Sequence, residues 1–216
     1  MIYELRTYTP ITGAADPYLK LFREIGLQVR GDKYGRHVGT WKTEFGTVEQ
    51  VVHLWSYADM TERDLLKDAV RVREPRWMGE YVPSIRTLMH PEQQSQIFRP
   101  IDGVPLTPPP GDNGHVYELR TYQLNAAQAP VWARRFKEVL PVRTKYSPLV
   151  ALWISDLGDL NQAYHLWAYD SLDQRMAARA AAAADPEWQA FELESAEMVV
   201  RRHSSILLPD PCSPLR

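Results

Sequence analysis

A six-residue stretch of this chain occurs twice, and this repeat constrains the fold more than any other feature of the sequence. The letters YELRTY stand at 3–8 and again at 117–122. Further pairs keep the same order: Trp41 with Trp153, HLWSY with HLWAY, and EPRW with DPEW. The spacing between partners drifts only from 114 to 111 residues, far longer than the period of a solenoid. The chain is therefore a tandem duplication of a unit of roughly 100 residues.

A segment rich in proline and glycine separates the two copies. Its sequence, RPIDGVPLTPPPGDNG, cannot sustain a helix or a central strand. We therefore predict a first unit at 1–99, a linker at 100–114, a second unit at 115–209 and a tail at 210–216.

Each copy alternates between segments with strand-like composition and segments with helical periodicity. The predicted elements of the first copy are strand 2–8, helix 16–30, strands 39–45 and 50–57, helix 61–72, a further helix to about 88 and strand 96–99. Those of the second are strand 116–122, helix 129–145, strands 150–155 and 162–169, helices to about 201 and strand 205–208. This βαββαβ order predicts an α+β fold of two tandem ferredoxin-like units. Because helices cover one face of each sheet, we predict that the units pack sheet to sheet as an α+β barrel.

Side chains alternate along a strand, so the repeated residues divide between two faces. We predict that Leu5, Val52 and Leu54 face the helices and that the polar and aromatic residues face the interior between the halves. The second set is Glu4, Arg6, Tyr8, His53, Trp55 and Tyr57, with Glu118, Arg120, Tyr122, His165 and Trp167 in the second copy. Two interpretations stay open: a satisfied Glu–Arg–His network that closes the interior, or the lining of a ligand cavity.

Composition excludes several classes of partner. The net charge is −2 and the pI is about 6.3, so no charge pattern indicates nucleic acid or an anionic membrane. No apolar run reaches the ~20 residues of a membrane span, and no signal peptide is evident. The single cysteine, Cys212, is typical of a reducing compartment. We predict a cytoplasmic protein with a small-molecule metabolite as its partner, and a homodimer of the tandem unit is possible.

The sequence offers no motif for a bound cofactor or metal. No glycine-rich phosphate loop occurs, and no cluster has the spacing of a zinc site. We therefore predict neither a cofactor nor a metal, with a metal held by His37, His53 and Glu4 as the alternative.

The two copies differ in their histidines, and this difference favours the first copy as a reaction centre. A histidine titrates near neutrality and suits acid–base chemistry. We assign His53 or His37 as proton acceptor. Arg6 would stabilise an oxyanion, since its fork of donors is always charged. Tyr8 would donate a hydrogen bond, and Glu4 would orient Arg6 or the histidine.

The position of His37 stays open between two alternatives. If the second strand begins early, His37 shares a face with Gly39, Trp41 and Thr43. Otherwise it is a surface histidine in the loop after Gly35.

The remaining candidates are ligand-binding residues, because large aromatic side chains can stack on a flat ligand. They are Trp41, Trp55, Tyr57, Arg120, Tyr122, His165, Trp153 and Trp167.

Taken together, the motifs resemble the NIPSNAP family. The second half carries the resemblance best, in YELRTY, KYSPLVALWISDLGDLNQAYHLWAYDSLDQR and DPEWQAF, and the first half keeps YELRTY, Trp41, QVVHLWSY and EPRW. The resemblance implies the dimeric α+β barrel fold with small-molecule cavities. The wider superfamily includes cofactor-free monooxygenases that act on polyketides, haem-binding and haem-degrading enzymes, and proteins without a known reaction.

These observations lead to two functional hypotheses. The first is a cofactor-independent enzyme that acts on an aromatic or polyketide-like metabolite by acid–base chemistry in the barrel interior. The alternative is a non-catalytic ligand-binding or interaction module whose Glu–Arg–His set is structural.

Overall fold

The computed structural model describes residues 1–111 and 114–216, which divide into two compact units. The first unit comprises residues 1–97 together with 209–216, and the second comprises 98–208. Asp112 and Asn113, which belong to the predicted linker, lie outside the described residues.

The first unit contains four strands, four α-helical segments and two π-helical turns. Its strands are β1 (Ile2–Pro10), β2 (Arg36–Phe45), β3 (Val51–Tyr57) and β4 (Met89–Pro100). Its helical segments are α1 (Ala15–Leu21), the π-helical turn π1 (Phe22–Gly26), α2 (Leu27–Arg30), α3 (Met60–Arg73), the π-helical turn π2 (Trp77–Tyr81) and α4 (Val82–Arg86).

The second unit repeats this plan with unbroken helices. Its elements are β5 (Val116–Leu124), α5 (Ala129–Arg143), β6 (Leu149–Leu157), β7 (Gln162–Tyr169), α6 (Leu172–Ala183), α7 (Pro186–Met198) and β8 (Val199–Pro209). The strand order is β4-β1-β3-β2 in the first unit and β8-β5-β7-β6 in the second. Antiparallel ladders join β3 to both β1 and β2, and likewise β7 to β5 and β6. The prediction of an α+β fold with two tandem ferredoxin-like units is therefore confirmed.

Local capping signals place the helix that follows each central strand. At the start of α3 the side chain of Asp59 accepts a hydrogen bond from the Glu62 amide (2.9 Å), and the Glu62 carboxylate accepts one from the Ala58 amide. This reciprocal arrangement satisfies two backbone donors that a helix start leaves unpaired. In the second unit Ser171 caps α6 by accepting from the Gln174 amide (3.1 Å). Both copies therefore begin this helix with a side-chain N-cap.

The last strand of each unit is longer than predicted. Strand β4 begins at Met89 rather than at 96, and β8 begins at Val199 rather than at 205. The added residues are almost all polar or solvent-exposed. Such residues show no apolar alternation, so period-two reasoning cannot detect them.

The prediction of which sheet face the helices cover is wrong. The His53 ring lies 4.4 Å from the Phe22 ring of π1, and in the second unit the His165 ring lies 5.2 Å from the Phe136 ring of α5. The polar and aromatic set therefore faces the helices of its own unit, and Leu5 projects from the opposite face. The error came from treating aliphatic residues as the natural partners of helices, whereas tryptophan and tyrosine bury even larger apolar surfaces.

The segment between the copies and the C-terminal segment both pack onto the folded units. The backbone amide of Ile101 donates to the Leu152 carbonyl (3.3 Å), and that of Thr107 donates to the Val150 carbonyl (2.8 Å), within the second unit. In the first unit, Thr40 donates its amide hydrogen to the side chain of Ser213 (3.0 Å). No helix in the described ranges has the length and apolar character needed to cross a membrane.

Candidate functional site

A cavity of about 820 Å³ lies between the sheet and the helices of the first unit. The strands β1 and β3 contribute Arg6, Tyr8, His53 and Trp55 to its lining. Helical segments contribute the opposing wall, which includes Tyr18, Phe22, Lys67, Trp77, Tyr81 and Arg86. Cavities of this size and of mixed aromatic and polar lining are typical of small-molecule sites.

The equivalent position in the second unit is almost filled. The pocket there measures about 50 Å³, although the residues Arg120, Tyr122, His165 and Trp167 line it just as their counterparts line the large cavity. Three aromatic rings pack together beside His165: Trp132 packs on Phe136 (4.7 Å between centroids), and Phe136 packs on Phe191 (5.6 Å). The second copy therefore keeps the strand residues of the site but has no room for a ligand.

Two π-helical turns border the cavity in the first unit, and the described residues of the second unit form neither. Because a π turn contains one more residue than an α turn, it alters the spacing between copies. Tyr8 and Tyr122 are 114 residues apart, whereas Arg30 and Arg143, on the far side of π1, are 113 apart. Single π turns within α-helices are frequent at functional sites. The decrease in repeat spacing from 114 to 113 residues therefore reflects the extra residue of π1 at the cavity wall.

The second π turn brings Tyr81 against π1 at a glycine. A Cβ atom on Gly26 would lie 2.7 Å from the Tyr81 ring, closer than two such atoms approach. The absence of a side chain at Gly26 therefore lets the Tyr81 ring lie against π1. From there the Tyr81 hydroxyl donates to the Tyr18 hydroxyl (3.4 Å).

Glu4 lies outside the cavity in a structural ion-pair network. Its carboxylate is fully buried and accepts hydrogen bonds from Arg63 (2.6 Å) and Ser95 (2.8 Å), with Lys67 3.7 Å away. Burial opposes its ionisation, but the hydrogen bond from Arg63 and the charges of Arg6 and Lys67 outweigh burial and lower its pKa to about 2.

The second unit repeats this network. Glu118 accepts from Arg175 (2.6 Å) and Ser204 (2.6 Å), and Arg120 lies 3.7 Å away. Since the network is present with and without a cavity, it belongs to the framework of both units. Of the two interpretations of the Glu–Arg–His set, the structural network is therefore the one that fits Glu4 and Glu118.

A hydrogen-bonded chain links both predicted histidines to the cavity. His37 Nε2 lies 2.7 Å from the Thr40 hydroxyl, which lies 2.8 Å from His53 Nδ1. On its other side, His53 Nε2 lies 3.0 Å from the Tyr18 hydroxyl, to which Tyr81 donates. His53, Tyr18 and Tyr81 line the cavity, whereas His37 does not. The order is therefore His37, Thr40, His53, Tyr18, Tyr81, leading from the strand β2 to the cavity.

A bulge in β2 places His37 on this chain. His37 pairs with Trp55 and Gly39 pairs with Leu54, so one residue is inserted between them. The inserted residue lets His37 and Thr40, three positions apart, project from the same face. The prediction that His37 shares a face with Trp41 is wrong for this reason, and so is the alternative of a surface loop, because His37 is buried in a strand.

Both histidines are held neutral. Burial lowers the pKa of His37 to about 4, and burial together with the nearby His37 and Arg6 lowers the pKa of His53 well below its usual value. A neutral imidazole has one donor and one acceptor nitrogen, which matches a chain in which Tyr18 donates to His53 Nε2 and His53 Nδ1 donates to Thr40.

Arg6 is the cavity-facing cation on the sheet. Its guanidinium lies 5.3 Å over the Tyr8 ring and its Nε is 4.0 Å from the Glu4 carboxylate, yet among the described residues no acceptor is within hydrogen-bonding distance of Nε. The counterpart in the second unit, Arg120, donates to the Tyr122 hydroxyl at 2.6 Å. The Nε of Arg120 is likewise buried without an acceptor among the described residues, so the two arginines differ in the hydrogen bond to the tyrosine two residues on, which Arg120 makes and Arg6 does not.

The predicted site residues separate into two groups. Arg6, Tyr8, His53 and Trp55 line the large cavity. Among the rest of the first-unit candidates, Tyr57 lies behind the site, where it donates to Glu4 (3.3 Å), and Trp41 pairs with Val52 and projects from the opposite sheet face. In the second unit, Trp153 stacks on Phe98 (5.4 Å) away from the small pocket.

Sequence reasoning missed the helical wall of the cavity. Tyr18 and Tyr81 contact the histidine chain, and Arg30 lies 3.5 Å over the Trp55 ring. One signal could have found Tyr18: a tyrosine stands there, while tryptophan stands 114 residues later at Trp132. Positions at which the copies differ carry as much information about the site as positions at which they agree.

Comparison with known proteins also finds two copies of one unit along the chain. The model of the NIPSNAP family matches residues 3–105 and again 117–214. Protein NipSnap homolog 3A of Homo sapiens is 28% identical over 220 residues, which covers 100% of this chain and 86% of that protein. Protein NipSnap homolog of Dictyostelium discoideum is 28% identical over 190 residues, which covers 87% of this chain and 78% of that protein.

Solved structures share the fold at low identity. A putative monooxygenase from Lactobacillus acidophilus superposes with a TM-score of 0.67 at 13% identity, covering 96% of this chain and 93% of the other. An anthrone oxidase-like protein superposes with a TM-score of 0.64 at 9% identity, covering 97% and 91%. At these identities the likeness establishes the fold alone.

Proposed function

We propose that this chain, which belongs to the NIPSNAP family, binds an aromatic or polyketide-like metabolite in the cavity of its first unit. The observation that carries the proposal is the contrast between two copies of one unit, with about 820 Å³ of space in the first and about 50 Å³ in the second. Empty volume costs packing energy, since a void removes contacts from its lining. A cavity kept in one copy and filled in the other therefore indicates a ligand site.

Aromatic side chains suit the walls of this cavity to a flat ligand. Tyr8 and Trp55 from the sheet, and Trp77 and Tyr81 from the helical wall, all reach it. Such rings favour offset or edge-on contacts with another aromatic system and add binding energy beyond the area they bury.

Acid–base chemistry is a second candidate function, favoured by the chain from His37 to Tyr81. In the proposed step, the ligand gives up a proton to the Tyr18 oxygen while the Tyr18 proton passes to His53 Nε2. The electron pair stays on the ligand as an enolate or phenolate, which the Arg6 guanidinium stabilises. Burial makes His53 a weak base by itself, but the anion that forms beside it favours its charged form.

Native mass spectrometry of the protein after incubation with a metabolite extract tests binding. We expect wild type to retain one small molecule per chain. Ile85→Trp places a large ring in the cavity lining and is expected to abolish retention. Leu193→Trp on the exposed surface of α7 is the matched control and should retain the molecule. Equal retention by Ile85→Trp and wild type would contradict the proposal.

The same incubation in D2O tests proton transfer. We expect the retained molecule to gain deuterium on wild type, and the rate to fall at least about 100-fold on His53→Gln, in the range of lost general acid–base catalysis. His165→Gln, the equivalent change in the second unit, should leave the rate unchanged. If the protein binds the molecule but deuterium exchange does not depend on His53, the proposed proton transfer is wrong and the non-catalytic alternative stands.

A further inference from the structure

The first-unit cavity carries a strong excess of positive charge. Arg6, Arg30, Lys67, Arg71 and Arg86 line it, and none of the described residues that line it is an aspartate or glutamate. The whole chain has a net charge of −2, so these cations are not part of a generally basic surface. Their concentration is local to the cavity.

The nearby carboxylates do not neutralise this charge. Glu4 lies outside the cavity, and its carboxylate is close to three cations: Arg63 at 2.6 Å, Lys67 at 3.7 Å and Arg6 at 4.0 Å. Arg63 also lies 2.8 Å from Asp64, which is largely exposed, so two carboxylates face three cations and one of the two interacts weakly. At the mouth Arg71 lies 3.5 Å from Asp68, but both side chains are largely exposed, and such pairs interact weakly.

Arg30 adds a buried cation whose described contacts are all neutral. Its Nε donates to the Tyr34 carbonyl (3.0 Å), a further nitrogen donates to the Tyr57 hydroxyl, and its guanidinium stacks on Trp55. Its counterpart Arg143 is likewise buried with neutral partners in the second unit, so Arg30 adds to the positive charge at the first-unit cavity without by itself requiring an anion.

The second unit shows what becomes of this arrangement without a ligand. Its small pocket includes a carboxylate, Glu192, which lies 3.9 Å from Arg202. Arg202 in turn lies over the Tyr122 ring (5.2 Å). The filled copy thus supplies a negative charge from its own chain, whereas the open copy supplies none.

We propose that the ligand of the first-unit cavity is an aromatic oxyanion, a molecule whose flat body packs against Trp77 and whose anionic group is bound by Arg6. The mouth cations Lys67, Arg71 and Arg86 increase its local concentration and association rate. This inference rests on the proposed function and narrows it to a class of ligand.

A matched pair of fluorescent probes tests the charge requirement. 8-Anilino-1-naphthalenesulfonate and N-phenyl-1-naphthylamine share one aromatic body, and only the first carries a sulfonate. We expect wild type to bind 8-anilino-1-naphthalenesulfonate at least about tenfold more tightly than N-phenyl-1-naphthylamine, because a hydrogen bond to a charged group contributes that much. Arg6→Met should remove this preference by lowering the affinity for 8-anilino-1-naphthalenesulfonate and leaving that for N-phenyl-1-naphthylamine unchanged. Arg120→Met, its counterpart in the second unit, should leave both affinities unchanged.

Two further measurements keep the test decisive if Arg6→Met folds poorly. Arg86→Met changes an exposed residue at the mouth of the cavity. We expect this variant to bind 8-anilino-1-naphthalenesulfonate about two- to threefold more weakly and with a smaller salt dependence than wild type. Displacement of the bound sulfonate by 1-naphthoate or by 1-naphthyl phosphate then separates carboxylate from phosphate ligands.

The outcomes separate this inference from the proposed function. If both probes bind equally tightly and Ile85→Trp abolishes both, the anion requirement is wrong and the ligand site stands. If neither probe binds, or if Ile85→Trp changes neither affinity, both the anion requirement and the ligand site are overturned.

Discussion

At the scale of single residues, the two copies assign different roles to members of one motif. Glu4 and Arg6 stand two apart in YELRTY and share a sheet face. Glu4 is fully buried among cations and its network recurs around Glu118, where there is no cavity. Arg6 is partly exposed and lines the cavity. The glutamate therefore belongs to the framework of both units, and Arg6 is the member of the pair that lines the cavity.

The role of Glu4 leads to a prediction about stability and pH. Its pKa is lowered from 4.5 to about 2, so its contribution is fully present above pH 4.5 and is lost as the pH falls through 2. This shift corresponds to about 3 kcal/mol of unfolding free energy at neutral pH. Glu4→Gln should remove it, which denaturant unfolding from pH 7 to pH 2 will measure.

A matched control separates this effect from a general loss of charge. Glu80→Gln changes a half-exposed residue paired with Arg76 at 3.0 Å, and we expect its unfolding free energy to stay within about 0.5 kcal/mol of wild type. If Glu4→Gln keeps the wild-type pH dependence between pH 5 and pH 2, the assigned role of Glu4 is wrong.

At the scale of elements, the helices rather than the strands distinguish the two units. The strand ladders are equivalent, with Arg6 opposite His53 and Arg120 opposite His165. The helices over them differ: π1 and π2 interrupt the first unit, whereas α5 and α7 are continuous. Helical geometry therefore decides whether the strand residues border a cavity or a filled core.

Two glycines, one in each π turn, test how closely the cavity wall is packed. Gly26→Ala would place its Cβ atom 2.7 Å from the Tyr81 ring, and we expect a loss of about 1–3 kcal/mol from overpacking. Gly79→Ala meets no atom within 4 Å and should be neutral or stabilising by up to about 1 kcal/mol. Thermal or denaturant unfolding measures both, and equal effects of the two substitutions would show that Gly26 has no packing role.

At the scale of the whole molecule, duplication supplies an internal reference for function. Both units keep the glutamate network, the inward histidine and the stacked arginine, but the space beside the histidine measures about 820 Å³ in the first and about 50 Å³ in the second. A single family model matches both copies, so family membership alone does not distinguish them. The division of roles becomes visible when the two copies are compared side by side.

Hydrogen exchange tests this division across the chain. With 8-anilino-1-naphthalenesulfonate at about 100 times its Kd, we expect exchange in π1, α3 and π2 to slow by up to about 100-fold. Exchange in α5 and α7 should stay unchanged, because the second-unit pocket is too small for the probe. Equal protection of α5 and π1 would contradict a site confined to the first unit.

The sequence by itself determined the duplication, the α+β class and the grouping of Arg6, Tyr8, His53 and Trp55 on one face. These features depend on local patterns, the repeated motif and the two-residue period of a strand, which sequence records directly. The polar ends of β4 and β8 lack such a pattern, and their extent was missed for that reason.

Only the tertiary structure decided which face the helices cover and which copy holds a cavity. The volume of a cavity depends on side chains from elements far apart in sequence, such as Tyr18, His53 and Tyr81, and on an extra residue in a helical turn. Neither quantity has a periodic signature. The same strand motif thus borders a ligand-sized space in one unit and a packed aromatic core in the other, because packing against the helices sets what remains empty.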